Sequence, residues 1–127
     1  MSFSIICAAA SGLKIQAKSG GHSYASFSSG GKNGSLIIDL RAFNEIELHD
    51  ETGIATVGTG VRLGNLALGL FERGKRAVPH GVCPGVGIGG HFTHGGYGYP
   101  ARLWGCMLTS NLALKFADFP GQWPSIV

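Results

Sequence analysis

The sequence predicts an α+β fold, a mixed sheet flanked by helices. Three observations carry that prediction. Short apolar runs of strand character follow helical segments irregularly, so the regular strand–helix alternation of a doubly wound sheet is missing. One segment, Arg62 to Arg73, has a clear helical period. Two glycine-rich loops, Lys18 to Tyr24 and Gly81 to His91, break the pattern where elements would feed a site.

The elements follow in order. Ser4 to Ser11 is alanine-rich and predicts a helix, with Gly12 as its stop. Leu13 to Ala17 alternates Leu13, Ile15 and Ala17 with Lys14 and Gln16, the period of a strand. Ser26 to Gly34 is rich in Ser, Gly, Lys and Asn and reads as a surface loop. Ser35 to Leu40 is a short apolar strand. Ile46 to Leu48 and Ile54 to Val57 bracket Asp50-Glu51-Thr52-Gly53, which predicts a hairpin.

In the helix from Arg62 to Arg73, Leu63, Leu66, Ala67, Leu70 and Phe71 share one face. Gly74 is the expected C-cap, and Gly69 in the interior costs about 1 kcal/mol. A short strand near Arg76 to Val78 is expected to lead into the second glycine loop. Leu112 to Phe116 reads as a last strand, and Lys115 to Val127 as a tail with Pro120, Gly121 and Pro124.

The bulk composition narrows the function classes. The 127 residues suffice for one small domain, and 44% hydrophobic content excludes a disordered chain. Only 13% are charged, which fits a protein with much surface covered by a ligand or by further protein. The net charge of +3 is scattered, without the basic stripe and interleaved aromatics of a nucleic-acid binder. No apolar run approaches the roughly 20 residues of a membrane span, and the apolar start lacks the basic flank of a signal peptide. Three cysteines, Cys7, Cys83 and Cys106, cannot all pair within the chain.

The chemistry concentrates in the two loops. In Ser19-Gly20-Gly21-His22-Ser23-Tyr24, a glycine turn after a strand lets successive N–H groups face a pyrophosphate. In Cys83-Pro84-Gly85-Val86-Gly87-Ile88-Gly89-Gly90-His91, proline stiffens the chain beside the thiol and glycines admit a flat ring. Gly95, Gly96 and Gly98, with Tyr97 among them, continue that permissive stretch. Each loop carries one nucleophile, His22 or Cys83, so a large phosphorylated cofactor held by bonds as well as contacts is the expected ligand. Gly85, Gly87 and Gly90 also match the G-x-G-x-x-G spacing. Pro84 precedes them in place of an apolar strand, and no acidic residue follows at ribose-binding distance, so the dinucleotide reading is rejected. A small metal module using Cys83, His91 and His94 is the alternative that the residues leave open.

These motifs resemble the FAD-binding PCMH-type domain of the vanillyl-alcohol oxidase superfamily, in its berberine-bridge-enzyme-like and fungal oligosaccharide oxidase branch. Gly58-Thr59-Gly60-Val61-Arg62-Leu63-Gly64-Asn65-Leu66 resembles the family's strand-to-helix passage. The resemblance implies a partial FAD-binding domain over 1–105 and a divergent tail over 106–127. It implies FAD bonded through His22 to its 8α carbon and through Cys83 to C6. Ser19, Gly20, Gly21, Ser23 and Tyr24 would lie on the first side of the cofactor. Pro84, Gly85, Val86, Gly87, Gly89, Gly90, His91, Gly96 and Tyr97 would lie on the second.

The implied parent reaction is hydride transfer from a sugar or alcohol carbon to flavin N5, with oxygen as final acceptor. The family's substrate domain and catalytic base have no counterpart in this sequence, so the chain alone is expected to be inactive. A relic without flavin is the non-catalytic alternative. Family resemblance implies an extracellular location, and no nucleic-acid or membrane partner is expected.

Overall fold

The computed structural model describes residues 2–30, 33–110 and 112–115. Its order is α1 (Ser2–Ala10), β1 (Lys14–Lys18), a 3-10 turn (Phe27–Ser29), β2 (Ser35–Asp39), β3 (Ile46–His49), β4 (Ile54–Gly58), α2 (Leu63–Gly74), α3 (Ile88–Thr93), α4 (Ala101–Trp104), a second 3-10 turn (Met107–Thr109) and β5 (Leu112–Lys115). Strands β1 and β2 form a parallel pair, Lys14 opposite Ser35 through Lys18 opposite Asp39. The other sheet has the order β3-β4-β5. Its hairpin pairs Ile46 with Val57 and His49 with Ile54, and β5 joins β4 in parallel, Ala55 beside Leu112. The α+β architecture with mixed pairing therefore holds.

The core lies where α2 and α3 cover the second sheet. Val57, Leu66 and Ile88 are wholly excluded from solvent, with Ala55, Val61, Leu63, Leu70, Phe92, Met107 and Leu112 beside them. The helical period of α2 explains its part, since Leu63, Leu66 and Leu70 form its buried face. Its interior glycine has a packing reason. A Cβ on Gly69 would stand 2.8 Å from Ile46 Cδ1, and one on Gly74 would strike Leu48 Cδ2. Both glycines let α2 lie close against β3.

Several local expectations change. Gly74 is the last helical residue and not the C-cap. Lys75 takes the left-handed conformation (φ 53°), with its N–H donating to Leu70 O and Phe71 O. Arg76 to Val78 is not a strand. Val78 before Pro79 is biased toward extended backbone, but no strand pairs with it among the described residues. The second glycine loop contains a helix, α3, where only a loop was expected. The apolar face of β1 is not core: Leu13 and Ile15 are exposed, as is Ile37 on β2. Phe116 and the tail after it lie outside the described residues. Among the described residues, no helix is long and apolar enough to cross a membrane.

Candidate functional site

Each glycine loop is joined to a regular element at one end. The first leaves β1 at Lys18, and the second runs from Gly81 into α3. They meet at Gly20 and Gly87. A Cβ on Gly20 would strike the Gly87 nitrogen and lie 2.9 Å from Gly87 Cα, while one on Gly87 would strike Ser19 Oγ and the Gly20 nitrogen. Only hydrogen fits at either position, so the two backbones touch because both residues are glycine.

Hydrogen bonds fix this contact. Ser19 Oγ donates to Thr59 O (2.5 Å) and accepts the Gly89 N–H (3.3 Å), tying β1, the strand-to-helix passage and α3 together. The Thr59 side chain is fully buried, and its Oγ1 finds no partner among the described residues. The passage into α2 runs alongside the second loop: Leu63 N–H donates to Val86 O, and Ile88 N–H to Val61 O, both at 2.9 Å. Arg62 forms a backbone bridge with Gly87, and its Nη1 donates to Gly85 O at 3.1 Å.

The two nucleophiles belong to this junction. A Cβ on Gly85 would lie 3.3 Å from His22 Nε2, so the imidazole sits over the backbone two residues beyond Cys83. Both Cys83 and His22 are exposed. Pro84 rests on the first turn of α2, where its carbonyl accepts the Gly64 N–H at 3.0 Å. Val86 packs against the core, Gly89 stands against Ser19, and Gly90 faces open space. Ser23, Tyr24 and Tyr97 are exposed. Gly96 is buried against Met107, so Tyr97 rather than Gly96 is the accessible member of that stretch.

His91 has a different task. Its Nε2 accepts the Gly81 N–H at 3.0 Å and so pins the start of the second loop to α3. Burial holds this imidazole below the usual histidine value, with a smaller contribution from His80. The folded chain therefore takes up this proton less readily than the unfolded chain, and stability falls as pH drops below the ordinary value of 6.5. Thermal melting from roughly pH 7 down to pH 5 is expected to show a declining midpoint, and His91→Gln is expected to lessen the decline.

The metal alternative does not survive the geometry. Among the described residues, no group of three or more His, Cys, Asp or Glu side chains could hold a metal ion. The His91 Nε2 lone pair is occupied by Gly81, and His94 Nδ1 lies 2.7 Å from Gly90 O, a carbonyl to which it donates. The site has a positive field instead. Neither glycine loop contains Asp or Glu, whereas Lys18 and Arg62 stand beside the first turn. Sequence reasoning missed Thr59 and Arg62 as parts of the junction, because their partners lie 40 and 23 residues away.

Residues 3–123 match the family described as the FAD binding domain. The chain belongs to this family. This FAD-binding domain is 52% identical over 101 residues to the xylooligosaccharide oxidase of Thermothelomyces thermophilus, across 80% of the chain and 20% of the relative. The solved carbohydrate oxidase from Microdochium nivale, in complex with a substrate analogue, matches with a TM-score of 0.80 at 50% identity, across 84% of the chain and 23% of that structure. Glucooligosaccharide oxidase from Acremonium strictum, a protein with 6-S-cysteinyl, 8α-N1-histidyl FAD, matches with a TM-score of 0.76 at 39% identity, across 82% and 22%.

The chain spans about a fifth of the length of the curated relatives it matches. The expected cofactor and the oligosaccharide-oxidase kinship thus hold. The residues of the junction also suit FAD: a close-packed glycine backbone for the diphosphate, cations beside it and two exposed nucleophiles at its edge.

Proposed function

We propose that this FAD-binding domain serves an FAD-dependent sugar or alcohol oxidase and attaches its flavin through both His22 and Cys83. The observation that carries this reading is the apposition of the two loops, which sets His22 over Gly85, two residues from Cys83. The chemistry FAD supplies when bound is acceptance of hydride from a sugar or alcohol carbon and delivery of the electrons to oxygen.

The chain's own residues bind and orient. Ser19, Gly20, Gly21 and Ser23 hold the diphosphate. Gly85 to His91 support the ring and ribityl chain, with His91 fixing the loop that bears Cys83. An imidazole nitrogen and a thiolate are competent nucleophiles toward an electron-poor ring. His22 would hold the flavin at its 8α carbon and Cys83 at C6, each bond taking the place of a C–H, with the two electrons and two protons so released taken up by oxygen as hydrogen peroxide. Two tethers on the benzenoid ring, at the 8α carbon and at C6, would pin that end of the flavin and leave the face at N5 open to substrate.

Incubation with FAD followed by acid precipitation tests the assignment. Flavin is expected to stay with the wild-type protein, to stay with His22→Ala or Cys83→Ala alone, and to be released entirely by the double variant. Full release from the wild type, or retention by the double variant, would overturn it.

A further inference from the structure

Two cations that the sequence pattern does not single out flank the first glycine turn. A Cβ on Gly20 would lie 2.8 Å from Arg62 Nη1, and one on Gly21 would lie 2.9 Å from Lys18 Cε and 3.8 Å from Lys18 Nζ. The two side chains therefore reach adjacent residues of one turn, from β1 and from the N-cap of α2. Neither makes a salt bridge with a carboxylate among the described residues. Asp39, opposite Lys18 in the β1–β2 register, feels the Lys18 charge but forms its ion pair with Arg41, at 2.7 Å. The rest of the Arg62 guanidinium, beyond Nη1, meets no acceptor among the described residues. Two positive charges held beside a turn of close-packed backbone, with no acid in either loop, are matched to a dianion.

We propose that Lys18 and Arg62 grip the diphosphate of FAD from two sides of the Ser19-Gly20-Gly21 turn. This rests on the FAD-binding reading and extends it to residues that reading leaves out. Arg62 has a second consequence. Its bond to Gly85 O ties the diphosphate site to the loop that carries Cys83, so a phosphate drawn to the guanidinium also favours the closed pairing of the loops. Lys18 is a point charge on a flexible stem and contributes attraction without that link.

The test uses the His22→Ala/Cys83→Ala chain, which cannot trap flavin, so that FAD affinity is an equilibrium quantity. Flavin fluorescence gives the Kd at low and high salt, and thermal melting without ligand reports the fold. Lys18→Gln and Arg62→Gln are each expected to weaken FAD by roughly tenfold at low salt and to flatten its salt dependence, Lys18→Gln leaving the ligand-free melting point in place and Arg62→Gln lowering it only by the loss of one exposed hydrogen bond to Gly85 O. Arg62→Lys is expected to recover part of the affinity. Unchanged affinity, or a loss accompanied by a lower melting point and not recovered by Arg62→Lys, would overturn the proposal. Absence of FAD binding by the parent double variant would instead sink the FAD reading itself, and this proposal with it.

Discussion

Gly20→Ala is expected to force the two glycine loops apart and to abolish flavin retention. The added methyl would meet the Gly87 nitrogen and Cα, which are backbone atoms held by the Leu63–Val86 and Ile88–Val61 hydrogen bonds on either side. A flexible side chain could swing away, but this backbone cannot without breaking those bonds. Overpacking of this kind costs about 3 kcal/mol at the upper end of its usual range. Urea denaturation should register the loss, and acid-precipitated protein should be colourless. Gly90→Ala is the matched control for stability, since a Cβ there meets nothing within 4 Å and lies within α3. Helix propensity then favours alanine by up to about 1 kcal/mol. Equal stability of Gly20→Ala and wild type would show that the loops do not touch as described.

Ile88→Ala is the second large effect. Ile88 is fully buried, begins α3, and gives its N–H to Val61 O. Its side chain anchors to the core the same short helix whose Gly89 N–H donates to Ser19 Oγ. Truncation should cost about 3 kcal/mol, from lost burial and the cavity left behind. The flavin readout separates this from an ordinary core defect. At a denaturant concentration where the variant remains folded, its FAD affinity should still be reduced, because α3 loses the anchor that sets the second loop. Leu70→Ala should cost a similar amount, for Leu70 is equally buried but lies at the far end of α2, and should leave the affinity near wild type.

Much of the fold was legible because it is local. The α2 face repeats with helical spacing, the hairpin is marked by Asp50 to Gly53, and β2 is a compact apolar run. Where reading failed, a local signal was outweighed by distant packing. Gly89 and Gly90 dilute the helical signal of α3, which forms because Ile88 and Phe92 reach the core one turn apart. Gly74 looks like a cap, yet it serves the approach to Leu48 and leaves Lys75 to adopt the left-handed turn. The alternation in β1 gave the right element, but the buried face it implied is solvent-exposed at Leu13 and Ile15.

The site divides in the same way. Its glycines, His22 and Cys83 announce themselves within short motifs. Arg62 and Thr59 do not, since a lone arginine before an apolar helix and a threonine between glycines carry no signal until chain segments far apart are brought together.

The Ser19–Gly89 bond joins residues 70 positions apart. Bringing its ends together surrenders more chain entropy than forming the β3–β4 hairpin, and contacts of such long span slow the search for the native state. The hairpin and α2 can therefore organise while the junction is still open. A newly made chain is therefore expected to gain its power to capture flavin in the closing stage of folding, so that refolding monitored by flavin capture lags behind refolding monitored by secondary structure.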